Sequence, residues 1–124
     1  MSSLADVLGE VLTVEVEEDG ALTVRHDGTF AALRTVALVE GLAIISLTQV
    51  LAWDLACTDE LRDWVSAQAS RAMFGTVAMT DRPGGTVDVV LRYNFPAGVD
   101  ARALKILVLM VLDTGADLRR TLTG

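Results

Sequence analysis

Residues Phe30 to Ala56, FAALRTVALVEGLAIISLTQVLAWDLA, form the most apolar stretch of the chain, broken near its middle by Glu40-Gly41. Leu42 to Leu55 alternates: Ala43, Ile45, Leu47, Leu51, Trp53 and Leu55 fall on one side, with Gln49 the polar exception. Period-two alternation marks a strand, because successive side chains of extended backbone point to opposite faces. The other side, with Leu42, Ile44, Ser46, Thr48, Val50 and Asp54, is mixed and not plainly solvated. Thr29 to Val39 also fits a helical spacing through Phe30, Leu33 and Val36 or Ala37. Its β-branched content and the flanking Asp27-Gly28 and Glu40-Gly41 turn signals favour a strand. The stretch is therefore expected to be two long strands, Phe30 to Val39 and Leu42 to Leu55, joined by a tight turn.

Upstream, Leu4, Val7, Leu8, Val11 and Leu12 recur at helical spacing, with Ser2 or Ser3 available as N-cap. Thr13 to Glu18 then alternates valine with glutamate. Asp19-Gly20 is a hairpin signal before a strand with Leu22, Val24 and His26 inward. Downstream, Thr58 or Asp59 opens a helix with Leu61, Trp64, Val65, Gln68, Ala69 and Ala72 along one stripe, ending at Gly75. Val77 and Met79 begin a hairpin turned at Arg82 to Gly85, and Val87, Val89, Leu91, Tyr93 and Phe95 alternate on its return. Pro96-Ala97-Gly98 breaks that strand, and Asp100 caps a last helix that is apolar at every position from Leu104 to Leu112 except Lys105. Such a helix is covered on more than one side. The order α-β-β-β-β-α-β-β-α describes one α+β domain over residues 1–124, with helices packed on an antiparallel sheet.

Composition narrows the function classes. Hydrophobic residues make up 52% of the chain. With glycine counted, the apolar share is roughly 59%, against a norm of about 45–50%. A domain this small cannot hide the excess inside, so a contiguous exposed patch and self-association are expected. A net charge of −7 opposes nucleic-acid binding. The 13 uncharged residues from Gly41 to Trp53 are too few to span a bilayer as a helix, and no export signal leads the sequence. A cytoplasmic location follows as the expectation.

No chemistry assembles. The single His26 has only Asp27 beside it in sequence and no evident nucleophile, and with Cys57 it falls short of a zinc ligand set. Cys57, the only cysteine, precedes a helix start where a thiolate is favoured, yet nothing basic adjoins it. Gly84-Gly85 lacks the lysine of a phosphate loop. The acidic cluster at Glu15, Glu17, Glu18 and Asp19 reads as a solvated strand face. The sequence thus predicts no catalytic, metal or cofactor site and no enzyme. Trp53, Trp64, Tyr93 and Phe95 are the large residues of the kind that anchor interfaces, and the candidate dimer face is the middle helix with its neighbouring strands. The long strands or their edges offer a groove for a partner segment, added as a strand or laid in as a helix.

The Glu18-Asp19-Gly20 hairpin, the strand pair around Glu40-Gly41, Thr58-Asp59-Glu60-Leu61, Phe74-Gly75 and Leu91-Arg92-Tyr93-Asn94-Phe95-Pro96 together resemble the bacterial YbjN family, whose fold is similar to that of type III secretion chaperones. The resemblance implies a homodimer with a protein- or peptide-binding surface and no cofactor, chaperone-like or regulatory. The alternative is a small-molecule-sensing regulatory domain with a pocket between the last helix and the sheet, lined by methionines such as Met79 and Met110.

Overall fold

The Asp27-Gly28 pair holds φ values of 50° and 80°, both positive as a two-residue type I′ turn requires. Glycine meets that demand without a Cβ clash, and a short polar aspartate is among the few residues that tolerate it. The turn joins β2 (Leu22–His26) to β3 (Thr29–Val39), and Glu40-Gly41, with Gly41 at φ 79°, returns the chain into β4 (Leu42–Ala56). The protein, seen here as a computed structural model, is described over residues 4–69 and 75–123. The remaining elements are α1 (Leu4–Gly9), β1 (Thr13–Val16), α2 (Asp59–Ala69), β5 (Thr76–Asp81), β6 (Thr86–Pro96) and α3 (Ala101–Thr123). All six strands pair antiparallel in one sheet, in the order β1-β2-β3-β4-β6-β5. The α+β architecture and the order of elements are those read from the sequence.

One sheet face is buried. Leu22, Val24, Ala31, Leu33, Ile45, Leu47, Leu51, Val77, Val87, Val89, Leu91 and Phe95 alternate onto it and are covered by the helices. From α3 come Leu104, Val108, Val111 and Leu112, spaced to form one stripe. From α2 come Leu61 and Val65, with Trp64 half-buried beside them. Asp100 caps α3 by accepting from the Arg102 and Ala103 amides at 3.1 and 3.4 Å. At α2 the cap is Thr58, whose hydroxyl accepts the Leu61 amide at 3.1 Å. The opening helix is shorter than its apolar spacing suggests, because Glu10 to Leu12 turn back onto Val7 and Leu8 carbonyls. Ala69 is exposed, off the expected stripe, and Ser2, Ser3, Ala72 and Phe74 lie outside the described residues.

Gln49 is the polar exception in that buried face, and its side chain has no exposure. Its Nε2 donates to Thr29 Oγ1 at 2.8 Å and to the Leu112 carbonyl of α3 at 3.1 Å. Thr29 in turn donates to the His26 carbonyl at 2.6 Å. Both amide protons are therefore used, which fixes the orientation of the group. Oε1 has no hydrogen-bond partner and faces Gly115, where an added Cβ would lie 1.9 Å from it. A C–C bond of about 1.5 Å puts the Gly115 Cα within ~3.4 Å of Oε1, in the range of a weak Cα–H···O contact. Gly115 stands mid-helix, where glycine costs about 1 kcal/mol relative to alanine; it is the residue that lets α3 lie against the glutamine.

At the β1–β2 end, Asp19 accepts from Arg34 Nη1 at 2.5 Å and from the Ala21 amide at 3.0 Å. The Arg34 hydrogen bond first, then the amide, holds the Asp19 carboxyl below its ordinary value of 3.8. A depressed folded pKa gives stability that is complete above the unfolded value and lost as pH falls through the folded one. Asp19→Asn should therefore lower Tm slightly at pH 7, and the difference should disappear at a pH well below 3.8. Thermal scans of both proteins at the two pH values test this.

Candidate protein-binding interface

The second sheet face carries no helix among the described residues. Strand register assigns its rows. Phe30 of β3 pairs with Val50, which pairs with Val90 of β6. One row on is Ala32, Thr48 and Arg92, then Arg34, Ser46 and Asn94, then Val36, Ile44 and Pro96. The face thus has an apolar patch at each end and a polar band between. Phe30, Val50 and Trp53 form the first patch. Val36, Leu38, Val39, Leu42 and Ile44 form the second, at the end where the β3–β4 hairpin protrudes. Of the ten exposed large hydrophobic residues among those described, six belong to β3 and β4 on these patches. Six residues of strand separate the Val50 row from the Ile44 row, about 20 Å. Arg25 beside Phe30, and Arg34 and Arg92 in the band, are all exposed. These arginines share the face with Glu15 of β1, in the row of Ala32, Thr48 and Arg92, and with Asp88 of β6, and Arg34 is paired with Asp19, so charges of both signs lie between and beside the apolar patches.

The placement of Trp53 comes from two irregularities in β4. The register shifts between Val50 and Ala52 and again between Ala52 and Leu55. Each shift adds a residue to β4 and flips the alternation beyond it. Asp54 takes φ 59° in the second, its amide donating to Asp88 Oδ1 at 2.9 Å and its Oδ1 accepting from Thr86 at 2.7 Å. Trp53 therefore does not share the inward side of Ile45 and Leu47, as unbroken alternation predicts. It is 49% exposed, its ring 5.9 Å from that of Phe30. Because β3 starts at Thr29, the Leu51 carbonyl lies past the β3 ladder, and Arg119 from α3 donates to it at 2.5 Å. The Arg119 guanidinium sits 5.8 Å from the Trp53 ring centroid, a cation–π contact that orients the indole.

No family model, curated protein or solved structure matches the chain. The site therefore stands on its own geometry.

Of the four aromatic residues singled out in the sequence, the structure places Trp53 on the open face and the others elsewhere. Phe95 is 1% exposed, inside the core, with the Tyr93 ring tilted against it at 4.9 Å and 59°. Trp64 borders a shallow cleft between α2 and the end of α3, with Leu55, Leu61 and Leu122. A partner meeting Trp53 does so on the side of the sheet away from α2. Phe30, the neighbour of Trp53, escaped the sequence reading; its signal is the alternation Phe30, Ala32, Arg34, Val36 along the outer side of β3.

The catalytic candidates are likewise placed. His26 Nε2 lies 2.7 Å from Asp113 Oδ1 on α3, so its acid partner is 87 positions away and not Asp27. Asp27 faces Arg120 instead. No hydroxyl or thiol hydrogen-bonds to the His26 ring among the described residues. Cys57 is half-buried against the core, and no group of three or more His, Cys, Asp or Glu side chains gathers among the described residues. Among the described residues no helix is long and apolar enough to cross a membrane. Under α3 the sheet is packed through Val108, Val111, Leu112 and the Gln49–Gly115 contact. One open space near α3 is a cleft of about 550 Å³ at its first turn, between Leu4, Val7, Ile45, Val99 and Leu104, with neither Met79 nor Met110 in its wall.

Proposed function

We propose that the protein is a non-enzymatic polypeptide-binding module, acting as a homodimer in the cytoplasm, with the helix-free face of the sheet as its binding surface. The observation that carries this reading is the pair of apolar patches about 20 Å apart on either side of an arginine-bearing band. Exposed apolar surface of this kind marks association. The chain's accessible area supports it: 7282 Å², where a monomer of 13.2 kDa exposes roughly 6,400 Å². The partner that fits is an extended segment with apolar anchors about six residues apart and an acidic residue between them, matched to Arg92. Electrostatic complementarity selects against basic segments on the same surface. The YbjN resemblance, which rests on the residues quoted for it above, implies a binding module of the same kind.

The test titrates the protein with two blocked seven-residue peptides, each with Phe at both ends and either Glu or Lys at the centre, while following tryptophan emission. The Glu peptide should shift the emission and the Lys peptide should not, and Trp53→Ala should weaken Glu-peptide binding by tenfold or more, the loss of one aromatic anchor. Equal behaviour of the two peptides, or a response that survives loss of Trp53, sinks the assignment of this face. Light scattering over a concentration series reads the homodimer as twice the chain's 13.2 kDa.

A further inference from the structure

The β3–β4 hairpin outruns the rest of the sheet on one side. β2 pairs with β3 only from Thr29 to Leu33, whereas β3 continues beside β4 to Val39. The outer edge of β3 beyond Arg34 therefore has no neighbouring strand. That edge reads Thr35-Val36-Ala37-Leu38-Val39: uncharged, without Gly or Pro, rich in β-branched residues, with Leu38 54% and Val39 65% exposed. A bare edge of this composition is a template for pairing with another chain, and soluble proteins blunt or cover such edges.

Backbone direction follows from the type I′ turn. His26 and Thr29 close it as a hydrogen-bonded pair, and alternation along β3 then turns the Thr35 and Ala37 N–H and C=O groups away from β4. They point into solvent, available to a new strand.

The flanking charges identify that strand. Arg34 precedes the apolar run and Glu40 follows it, both exposed. In an antiparallel pairing of two identical edges centred on Ala37, Ala37 meets Ala37 and Val36 meets Leu38, and Arg34 of each copy comes to the bent hairpin tip of the other, where Glu40 stands exposed, twice by symmetry. Shifting the centre to Val36 or Leu38 leaves both charges opposite uncharged residues. The other sheet edges lack this property: β1 carries Glu15 with Glu17 and Glu18 just beyond, and the charge within β5 is Asp81.

We propose that two copies of this chain join through the free edge of β3, antiparallel across a two-fold axis at Ala37, with Arg34 of each copy facing Glu40 at the hairpin tip of the other. This rests on the homodimer reading above and names its contact. The pairing extends the sheet across both copies and places the two open faces side by side, doubling the surface offered to a polypeptide. Arg34 keeps its bond to Asp19 at one side while its remaining donors face the second copy. The irregularity between Ala37 and Val39 bends the hairpin tip, and Glu40 sits exposed in the turn.

The experiment measures dimer dissociation by sedimentation for the parent, Glu40→Arg, Arg34→Glu and the double exchange, with far-UV circular dichroism on each. Opposite-charge pairs become like-charge pairs at two symmetric positions in either single variant, so each should weaken the dimer about tenfold or more. The double exchange restores opposite charges and should return within about threefold of the parent, although the carboxylate introduced by Arg34→Glu then stands beside Asp19. Ala37→Pro removes an outward N–H that bonds nothing within the chain and should give a folded monomer. Single variants that weaken the dimer without recovery in the double overturn the Ala37 register. A dimer of unchanged affinity in all variants overturns the edge contact and leaves the homodimer reading standing on another surface. A parent that stays monomeric at every concentration overturns both.

Discussion

Gly115→Ala lowers the free energy of unfolding by about 3 kcal/mol or more, equivalent to a fall in Tm on the order of 10 °C for a chain of this size. On an exposed helix the same change stabilises, since alanine is the better helix former by about 1 kcal/mol, so the expected sign is itself diagnostic. The new Cβ would stand 1.9 Å from Gln49 Oε1, 2.3 Å from Cδ and 2.6 Å from Nε2. The amide cannot swing aside without giving up Thr29 Oγ1 and the Leu112 carbonyl in a site closed to water. Moving α3 outward instead opens the packing of Val108, Val111 and Leu112. Gln49→Ala alone costs about 2 kcal/mol through the cavity and the lost hydrogen bonds to Thr29 Oγ1 and the Leu112 carbonyl. In the double variant the alanine methyl occupies vacated space, so the two losses should fall short of additivity by about 1.5 kcal/mol or more. Urea unfolding of the four proteins measures this. Simple additivity would show that the glutamine is not what the glycine accommodates.

Phe95→Ala costs about 3–5 kcal/mol, the range for truncating a buried phenylalanine. The ring is enclosed at 1% exposure and packs tilted against Tyr93, a contact worth about 0.5–1.5 kcal/mol beyond area. The loss should be the same at high and low protein concentration, because it arises within one chain. Trp53→Ala behaves oppositely. Half-exposed and touching chiefly Phe30 and Arg119, it should change stability by about 1 kcal/mol or less while diminishing peptide binding. Denaturation of both variants at two concentrations, beside the peptide titration, separates the aromatic that holds the fold from the one that serves the surface. A concentration-dependent loss for Phe95→Ala would contradict its placement in the core.

These two residues also mark where sequence reading stops. Phe95 and Trp53 carry the same apolar signature and each falls on the inward side of its strand by simple alternation. Phe95 keeps that side because β6 pairs with β4 in unbroken register from Phe95 to Val90. Trp53 loses it because one extra residue enters β4 between Val50 and Ala52, just before it, and a second between Ala52 and Leu55 restores the alternation only beyond it. A bulge depends on what the neighbouring strand offers, here the Asp88 carboxylate and the Thr86 hydroxyl that hold Asp54. Neither lies near Trp53 in the chain.

The sequence by itself determined the elements, their order and the fold class, because the forces that set them act between near neighbours. Alternation defines strands, the Asp27-Gly28 and Glu40-Gly41 turns reverse them, the Leu104 to Leu112 run demands burial, and Asp100 starts the helix that carries it. The apolar excess, visible as composition, foretold exposed hydrophobic surface without saying where. Tertiary structure alone decided that this surface is the helix-free face of β3 and β4, that Gln49 is accommodated by a glycine far along the chain in α3, and that His26 meets Asp113. It also decided that β3 runs on past β2, leaving a bare edge between Arg34 and Glu40. Each of these depends on which residues long-range pairing brings together, and one residue of register changes the partner.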